Sequence, residues 1–383
     1  MATAIRIEAL PARLGDCLLV ECPREGMRPW RMLVDGGPPD TWPRLEARLQ
    51  ALPDPAIDVA VVTHIDSDHI GGFIPFVLSP HARDVGDFWF NGARHLVPAG
   101  EMRSTAQGDT VVSALTGATP GLRAAPLPWN VAFDGGPVRC PDPPDAGRTG
   151  APLPVIEVPG GPRLTILSPT PTRLRVLGRK WNEVEEELHR GPELGVAPPM
   201  APPPLGDLED LLPGPTTRDP SAPNGSSIAF LLEHRGASAV LSGDAFGNVL
   251  ALSLAMLAVE RGSENVPVDL VKLPHHGSVN NVLAALVQAA PARHYLVSTN
   301  GDTFNHPDDA ALARVVLGAP RGAELWFNYR TPRTLRWAEP ALQTRYGFTA
   351  HLPAAGADGE RADDGEHTGD GEHGIVVELP ERT

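Results

Sequence analysis

Cysteine is scarce. Cys17, Cys22 and Cys140 are the three in 383 residues, no two form a CxxC pair, and an odd count in so long a chain is not a disulfide framework. Cys17 and Cys22 read as buried strand residues. Long apolar runs are also missing: none approaches the roughly 20 residues that a membrane helix requires. The opening MATAIRIEALPARLGDCLLVE lacks the basic, then apolar, then small-residue order of a secretion signal, so the expected location is cytoplasmic, with no membrane partner. A Lys/Arg-rich tract is absent too. The formal net charge is −15, which argues against a broad basic face that grips nucleic acid. That excess is uneven, because seven carboxylates against one Arg between Asp358 and Glu372 supply −6 of it. Acidic residues that bind metal would be neutralised as well, so charge weakens a nucleic-acid reading without excluding it. No internal repeat and no domain boundary stands out.

What the chain does have is turns and buried strands. With 39 Gly and 43 Pro among 383 residues, many loops are expected around a core large enough for one α/β domain. IRIEAL, DCLLVEC and RMLVDGG read as strands closed by Gly-rich turns, and Leu45, Leu49 and Leu52 give helical spacing to Trp42–Leu52. IDVAVVTHI is a continuous apolar strand of the kind buried on both faces. Later come the strands LTILSP, SIAFLLEH and ASAVLSGD, a helix from about Phe246 to Arg261, and the strand VDLVKLP. A helix near Val279–Ala290, the strand HYLVST and a helix near Asp308–Leu317 follow. This alternation predicts a layered α/β sandwich, one domain over residues 1–383 with two insertions. Gly191–Pro223 holds ten prolines and little apolar periodicity, and is expected to be a surface insertion without regular structure, removable without loss of the fold. The acidic, Gly-rich 354–373 stretch precedes the strand-like GIVVELP and reads as a long hairpin loop.

The chemistry concentrates where IDVAVVTHI ends, at the strand terminus where α/β folds place reactive groups. His64, Asp66, Asp68 and His69 offer four metal donors within six residues, and Gly71 and Gly72 allow the chain to reverse beside them. A polar loop that caps the next helix would explain an isolated HxD, whereas HxDxDHxGG after an apolar strand points to metal. Asp244 in LSGD is either a ligand or the cap of the helix that follows. His275 and His276, adjacent in PHHGS, are rarely both core fillers.

The segment THIDSDHIGG resembles the HxHxDH signature of metallo-β-lactamase-fold hydrolases, with Asp66 in place of the second His. This variant is similar to the hydrolase domain of ComEC-type DNA-uptake proteins. The similarity extends through LGDCLLVE, LVDGG, NGSSIAFLLE, LSGD, LVKLPHHGS and STNGDTFNHPD, while the membrane channel of those proteins is absent. The resemblance implies an αββα four-layer sandwich and two divalent ions, Mn²⁺ or Zn²⁺. It implies that His64 and Asp66 hold one ion, that Asp68 and His69 hold the other, and that Asp244 bridges them. One of His275 and His276 would complete the second site, with His275, nearer the strand end, preferred. Where many relatives place a His before the strand leading to the bridging Asp, this chain has Asn224, a weak ligand, a substrate contact or a plain turn residue. His95 would fill that gap only from a loop and is otherwise a surface His.

Further residues surround this set. Asp35 matches a position that supports the metal loop by hydrogen bonds. Lys272 either meets a phosphate or is a solvated edge residue. Asn305 and His306 line the cleft, unless Asp308 simply caps a helix beside them. A pair of divalent ions would acidify a water between them, with Asp68 orienting it and His306 or Lys272 protonating or steadying the leaving oxygen. Three functions fit: a phosphodiesterase acting on DNA or RNA, a hydrolase of a small ester, lactone, thioester or phosphorylated headgroup, and a sensor module with a vestigial site. The intact donor set disfavours the third. A regulatory protein partner remains compatible with all three.

Overall fold

The computed structural model describes residues 2–96, 106–118, 125–143, 150–190, 202–212, 219–354 and 374–382. Two mixed sheets form the centre. The first runs in the order β14-β1-β2-β3-β4-β5, from β1 (Thr3–Ala9), β2 (Leu18–Cys22), β3 (Trp30–Val34), β4 (Val59–Val61), β5 (Asp87–Trp89) and β14 (Ile375–Pro380). The second comprises β6 (Val155–Glu157), β7 (Arg163–Ser168), β8 (Ala229–His234), β9 (Ala237–Leu241), β10 (Val268–Lys272), β11 (Ala292–Val297), β12 (Glu324–Phe327) and β13 (Thr349–His351). Its order is β13-β12-β11-β10-β9-β8-β7-β6, parallel from β13 to β9 and antiparallel beyond.

The continuous apolar strands have a simple cause: both of their faces are buried. In β3 and β4, Met32, Val34, Val59 and Val61 point into the core between the sheets, whereas Leu33 and Ala60 face an outer helical layer. That layer contains α1 (Trp42–Gln50), α2 (Ser67–Ile70), α3 (Phe73–Leu78) and α4 (Ala106–Thr116), with Leu45, Leu49, Phe73 and Phe76 inward. Side chains of this size stabilise by roughly 1.5–3 kcal/mol each when fully buried. The helix α5 (Pro171–Arg190) was not among the elements anticipated, although Leu174, Leu177, Trp181 and Val184 have helical spacing, and it buries Leu174 and Leu177 in the same outer cluster. A single turn, α6 (Ala222–Gly225), precedes β8. On the second sheet, α7 (Gly247–Glu260), α8 (Ala284–Ala289) and α9 (Asp309–Gly318) bury Leu250, Leu254, Leu286 and Leu312. The result is the expected layered α/β sandwich.

Three expectations require correction. The helix anticipated over Val279–Ala290 is shortened to α8, because residues before it are committed elsewhere: Val279 N–H donates to Asp308 Oδ2, and the Asn281 amide reaches Asp219 and the Asp244 carbonyl. The Pro-rich segment is not free of structure in its described parts. Leu208, in a short 3₁₀ turn at Leu208–Leu211, is fully buried in the main core, and its N–H donates to Tyr346 Oη. Finally, β14 pairs antiparallel with β1, whereas β13 closes the opposite sheet. The acidic 354–373 stretch, which beyond Ala354 lies outside the described residues, therefore joins two sheets and is not a hairpin loop. No helix among the described residues is long and apolar enough to cross a membrane.

Candidate metal centre

Strand ends from both sheets deliver the site. His64 follows β4, Asp66 is the N-cap of α2 and Asp68 and His69 lie within it, Asp244 follows β9, and His275 and His276 follow β10. Several backbones here occupy the left-handed region that L residues rarely adopt, among them Asp35 at φ 59°, His275 at 48° and His276 at 53°. The packing has little slack: a Cβ on Gly15 would overlap the Asp68 carbonyl, so only glycine lets the β1–β2 turn lie against the metal loop.

The four imidazoles share one arrangement. His69 Nδ1 lies 2.8 Å from Asp35 Oδ2, and His276 Nδ1 lies 2.8 Å from the Ser298 carbonyl. His64 Nδ1 lies 3.0 Å from Thr63 Oγ1, whose own proton goes to Asp35 Oδ2, so the imidazole is the donor of that pair. His275 Nδ1 lies 3.2 Å from Asn281 Oδ1. Placing the proton on Nδ1 leaves each Nε2 lone pair free. All four point to one oxygen, Asp244 Oδ2, at 4.0 Å for His64, 3.4 Å for His69, 3.9 Å for His275 and 3.5 Å for His276. Asp68 Oδ2 is 3.8 Å from His69 Nε2 and 3.6 Å from His276 Nε2, and Asp66 Oδ2 is 3.4 Å from His64 Nε2.

Three of these nitrogens, on His64, His69 and His276, are buried without a hydrogen-bond partner, as is Asp244 Oδ1. Orphaned lone pairs of this kind are costly unless something binds them. A divalent cation satisfies them, and among the described residues four triads have compatible donor spacing: His64, His69 and Asp244; Asp68, His69 and His276; Asp16, Asp35 and His69; and Asp16, Asp244 and His276. The residues therefore fit a di-metal site.

Electrostatics agree with that fit. Burial is the largest influence on His69 and His276 and opposes their charged forms. Asp244, Asp68 and Asp35 outweigh it at His69, and Asp244 and Asp16 do so at His276, so both pKa values are raised well above the imidazole range. Burial likewise opposes ionisation of Asp244, yet His276, His69 and His275 hold its pKa well below the usual value. Protons stand where cations would, and metal uptake must displace them.

The residues anticipated from sequence fall into distinct places. His64, Asp66, Asp68, His69 and Asp244 converge. Asp35 accepts from Thr63 N–H and Oγ1 at 2.7 Å each and also faces His69. The preference for His275 over His276 at the second site is reversed, because His276 alone of the two reaches Asp68. Asn224 is buried, its amide nitrogen donates to Asp219 at 2.9 Å, and its Oδ1 has no partner. The ring of His306 lies 5.2 Å from that of His275, and burial, aided by the two neighbouring imidazoles, lowers its pKa against the pull of Asp308. Asn305 is exposed, with its backbone in the left-handed region. His95 packs on Trp129 with Nε2 against the Gly135 carbonyl, and so does not fill the gap beside Asn224.

Lys272 is neither solvated nor at an edge. It is 0% exposed, with its ammonium against Asp16, 3.1 Å from the Gly243 carbonyl and 3.8 Å from Asp244 Oδ1. Asp16 and Asp219 went unnoticed in the sequence. Asp16, in LGDC just before β2, also lies 3.5 Å from His276 Nδ1, and the one sequence signal was an acidic residue opening an apolar strand. Removing one partner of a buried pair costs about 3–5 kcal/mol. Lys272→Met should thus destabilise by about 3 kcal/mol or more in urea unfolding, with part regained in Lys272→Met/Asp16→Leu; a change below about 1 kcal/mol would show the pair to be dispensable.

A two-sheet sandwich with a His/Asp cluster at its strand ends defines a metal centre of the kind that metal-dependent enzymes carry. The family model described as Metallo-beta-lactamase superfamily matches residues 31–86, the segment that contains the metal loop, and over those residues the chain is similar to that superfamily. None of the curated proteins matches the chain. Among solved structures, CmlA, a diiron β-hydroxylase from Streptomyces venezuelae, is 13% identical with a TM-score of 0.36, covering 99% of this chain and 55% of that one. A CmlA mutant has the same identity and coverage with a TM-score of 0.38. The chain thus spans 55% of the length of the CmlA structures. Zn²⁺-bound PqqB from Methylobacterium extorquens is 10% identical with a TM-score of 0.33, covering 94% of this chain and 87% of that chain.

Proposed function

We propose that the chain is a metal-dependent hydrolase whose two-ion centre cleaves phosphodiester bonds, in a nucleic acid or a small phosphodiester. The observation that carries the hydrolase reading is the convergence of four Nδ1-anchored imidazoles on Asp244, three of them with buried, unpartnered Nε2 atoms. The ComEC-like motif set and the carboxylates Asp66 and Asp68 favour a phosphodiester over other esters. When bound, the ions would supply Lewis acidity and a water acidified towards neutral pH. Asp68, with an ionised carboxylate beside His69 and His276, is placed to orient that water. His306, held largely neutral at the rim, is placed to offer an N–H to the leaving oxygen. Lys272, enclosed by Asp16, acts on Asp244 and not on substrate.

The oxygen donor Asp66 leads to a metal preference. Oxygen ligands suit Mn²⁺ better than Zn²⁺, although Zn²⁺ binds more tightly in general. With a stripped protein restored with one ion at a time, Mn²⁺ should support faster cleavage of bis-p-nitrophenyl phosphate and a labelled single-stranded oligonucleotide than Zn²⁺. Asp66→His should move the preference towards Zn²⁺. Hydrolysis of a lactone in the same screen with no cleavage of either phosphodiester would replace this reading by the small-molecule one, which the net charge of −15 favours.

A further inference from the structure

His275 is the imidazole that the second ion does not need. Asp68, His69, His276 and Asp244 already offer that ion four donors, and with a water they would complete the five-coordination that a catalytic site can reach. Because the single Nε2 lone pair of His69 can serve only one ion, the first ion is left with three donors: His64, Asp66 and Asp244. Among the described residues Asp68 pairs with His69 and His276 but not with His275. Yet His275 is built as the other three are. Its Nδ1 faces Asn281 Oδ1 at 3.2 Å and Asp219 Oδ2 at 3.4 Å, and its Nε2 stands 3.9 Å from Asp244 Oδ2. Two donors on one ion at about 2.1 Å each lie roughly 3–4 Å apart, so this spacing suits a shared ion.

The support beneath His275 is elaborate for a bystander. Asp219, buried and at the end of the Pro-rich segment, accepts from Ser221 N–H at 2.8 Å, from the Asn224 amide at 2.9 Å and from the Asn281 amide at 3.1 Å. Asn281 in turn reaches the Asp244 carbonyl at 3.3 Å, tying the assembly to the bridging residue. A carboxylate on the far nitrogen of an imidazole is the usual outer partner of a metal-binding histidine, fixing its tautomer and orientation. The left-handed backbone at both His275 and His276 sends the two adjacent rings to different partners, His276 to Ser298 and His275 to Asp219.

We propose that His275 Nε2 is the fourth donor to the ion held by His64, Asp66 and Asp244, and that Asp219 is its positioning residue. This rests on the two-ion reading above. It makes the end of the Pro-rich segment part of the metal centre and gives Asn224 the task of holding Asp219.

The test is metal content by elemental analysis, with cobalt titration followed by absorption, on the full chain. Wild type should bind two ions. His275→Ala and His64→Ala should each bind one, and the double variant should also bind one, since both residues serve the same ion. Asp219→Asn, a milder change, should still bind two at saturation, with the weaker site losing about 10–100-fold in affinity and the tighter one unchanged. Two ions at wild-type affinity in His275→Ala, loss of both ions in that variant, or an unaltered weaker site in Asp219→Asn would each overturn the assignment. A wild-type chain without ions would instead overturn the two-ion reading on which it depends.

Discussion

Asp244→Asn should abolish metal-dependent hydrolysis, lowering the rate on the order of 10³-fold or more, and should leave the chain with less than one tightly held ion. The expectation follows from position. Among the described residues Asp244 Oδ2 is the one oxygen within 4.0 Å of Nε2 on His64, His69, His275 and His276, so both proposed ions would depend on it. Each tenfold in rate corresponds to about 1.4 kcal/mol of transition-state stabilisation, and losing the Lewis acidity of a metal pair removes several such units. Asparagine keeps the shape and removes the charge, which spares the fold from a cavity beside Lys272. Asp68→Ala should be inactive with every ion for a different reason, because it loses the water-orienting carboxylate as well as a ligand. Asp35→Asn provides the contrast, since it alters only support and should cost about 10–100-fold. Metal analysis alongside turnover separates the cases. Two ions and wild-type turnover in Asp244→Asn would refute the bridging role.

Chelation should lower thermal stability by a large and pH-dependent amount. An ion present at about 1,000 times its Kd stabilises by about 4 kcal/mol, which in a chain of this size corresponds to a fall on the order of 5–10 °C in Tm when EDTA is added. The pH dependence has a definite sign. In the metal-free chain burial opposes the charged forms of His69 and His276, but Asp244 and its neighbouring carboxylates outweigh it and hold both pKa values well above the ordinary imidazole value of 6.5. Their contribution to stability is fully present below about pH 6.5 and is lost as pH rises through the raised folded values. Metal binding runs the other way, because protons and ions compete for the same Nε2 atoms and affinity grows as pH rises. The gap in Tm between loaded and chelated protein should therefore widen from pH 6 to pH 8. Scanning calorimetry on both forms would show it, and a gap that is absent or that narrows with pH would count against a metal in this cluster.

The sequence carried the metal loop because its chemistry is local. His64, Asp66, Asp68 and His69 lie within six residues after an apolar strand, and short-range geometry alone brings their donors together. The strands were legible for a related reason: residues such as Leu33 and Met32, buried on opposite faces of β3, leave an uninterrupted apolar run in the chain. Asp35 was recognisable through LVDGG, although its bonds to Thr63 and His69 were not.

Side-chain direction and long-range partnership belonged to the tertiary structure. Sequence could not choose between His275 and His276, because the choice lies in two left-handed backbone torsions that are maintained by contacts with Gly243, Ser298 and Asp219. Lys272 looked equally suited to solvent and to phosphate until Asp16 closed over it from a turn some 256 positions away in the chain. Asp219 sat among prolines with no local pattern, and Leu208 of the same segment proved to be core. The −15 charge described composition and not the field inside the site, where four imidazoles and a lysine surround the carboxylates. What the sequence determined by itself was the set of donors and the layered fold, since both follow from residue type and short periodicity. Which of these side chains meet, and which groups hold them, only the tertiary structure decided, because those relations depend on segments that meet through packing of two sheets and leave no periodic trace along the chain.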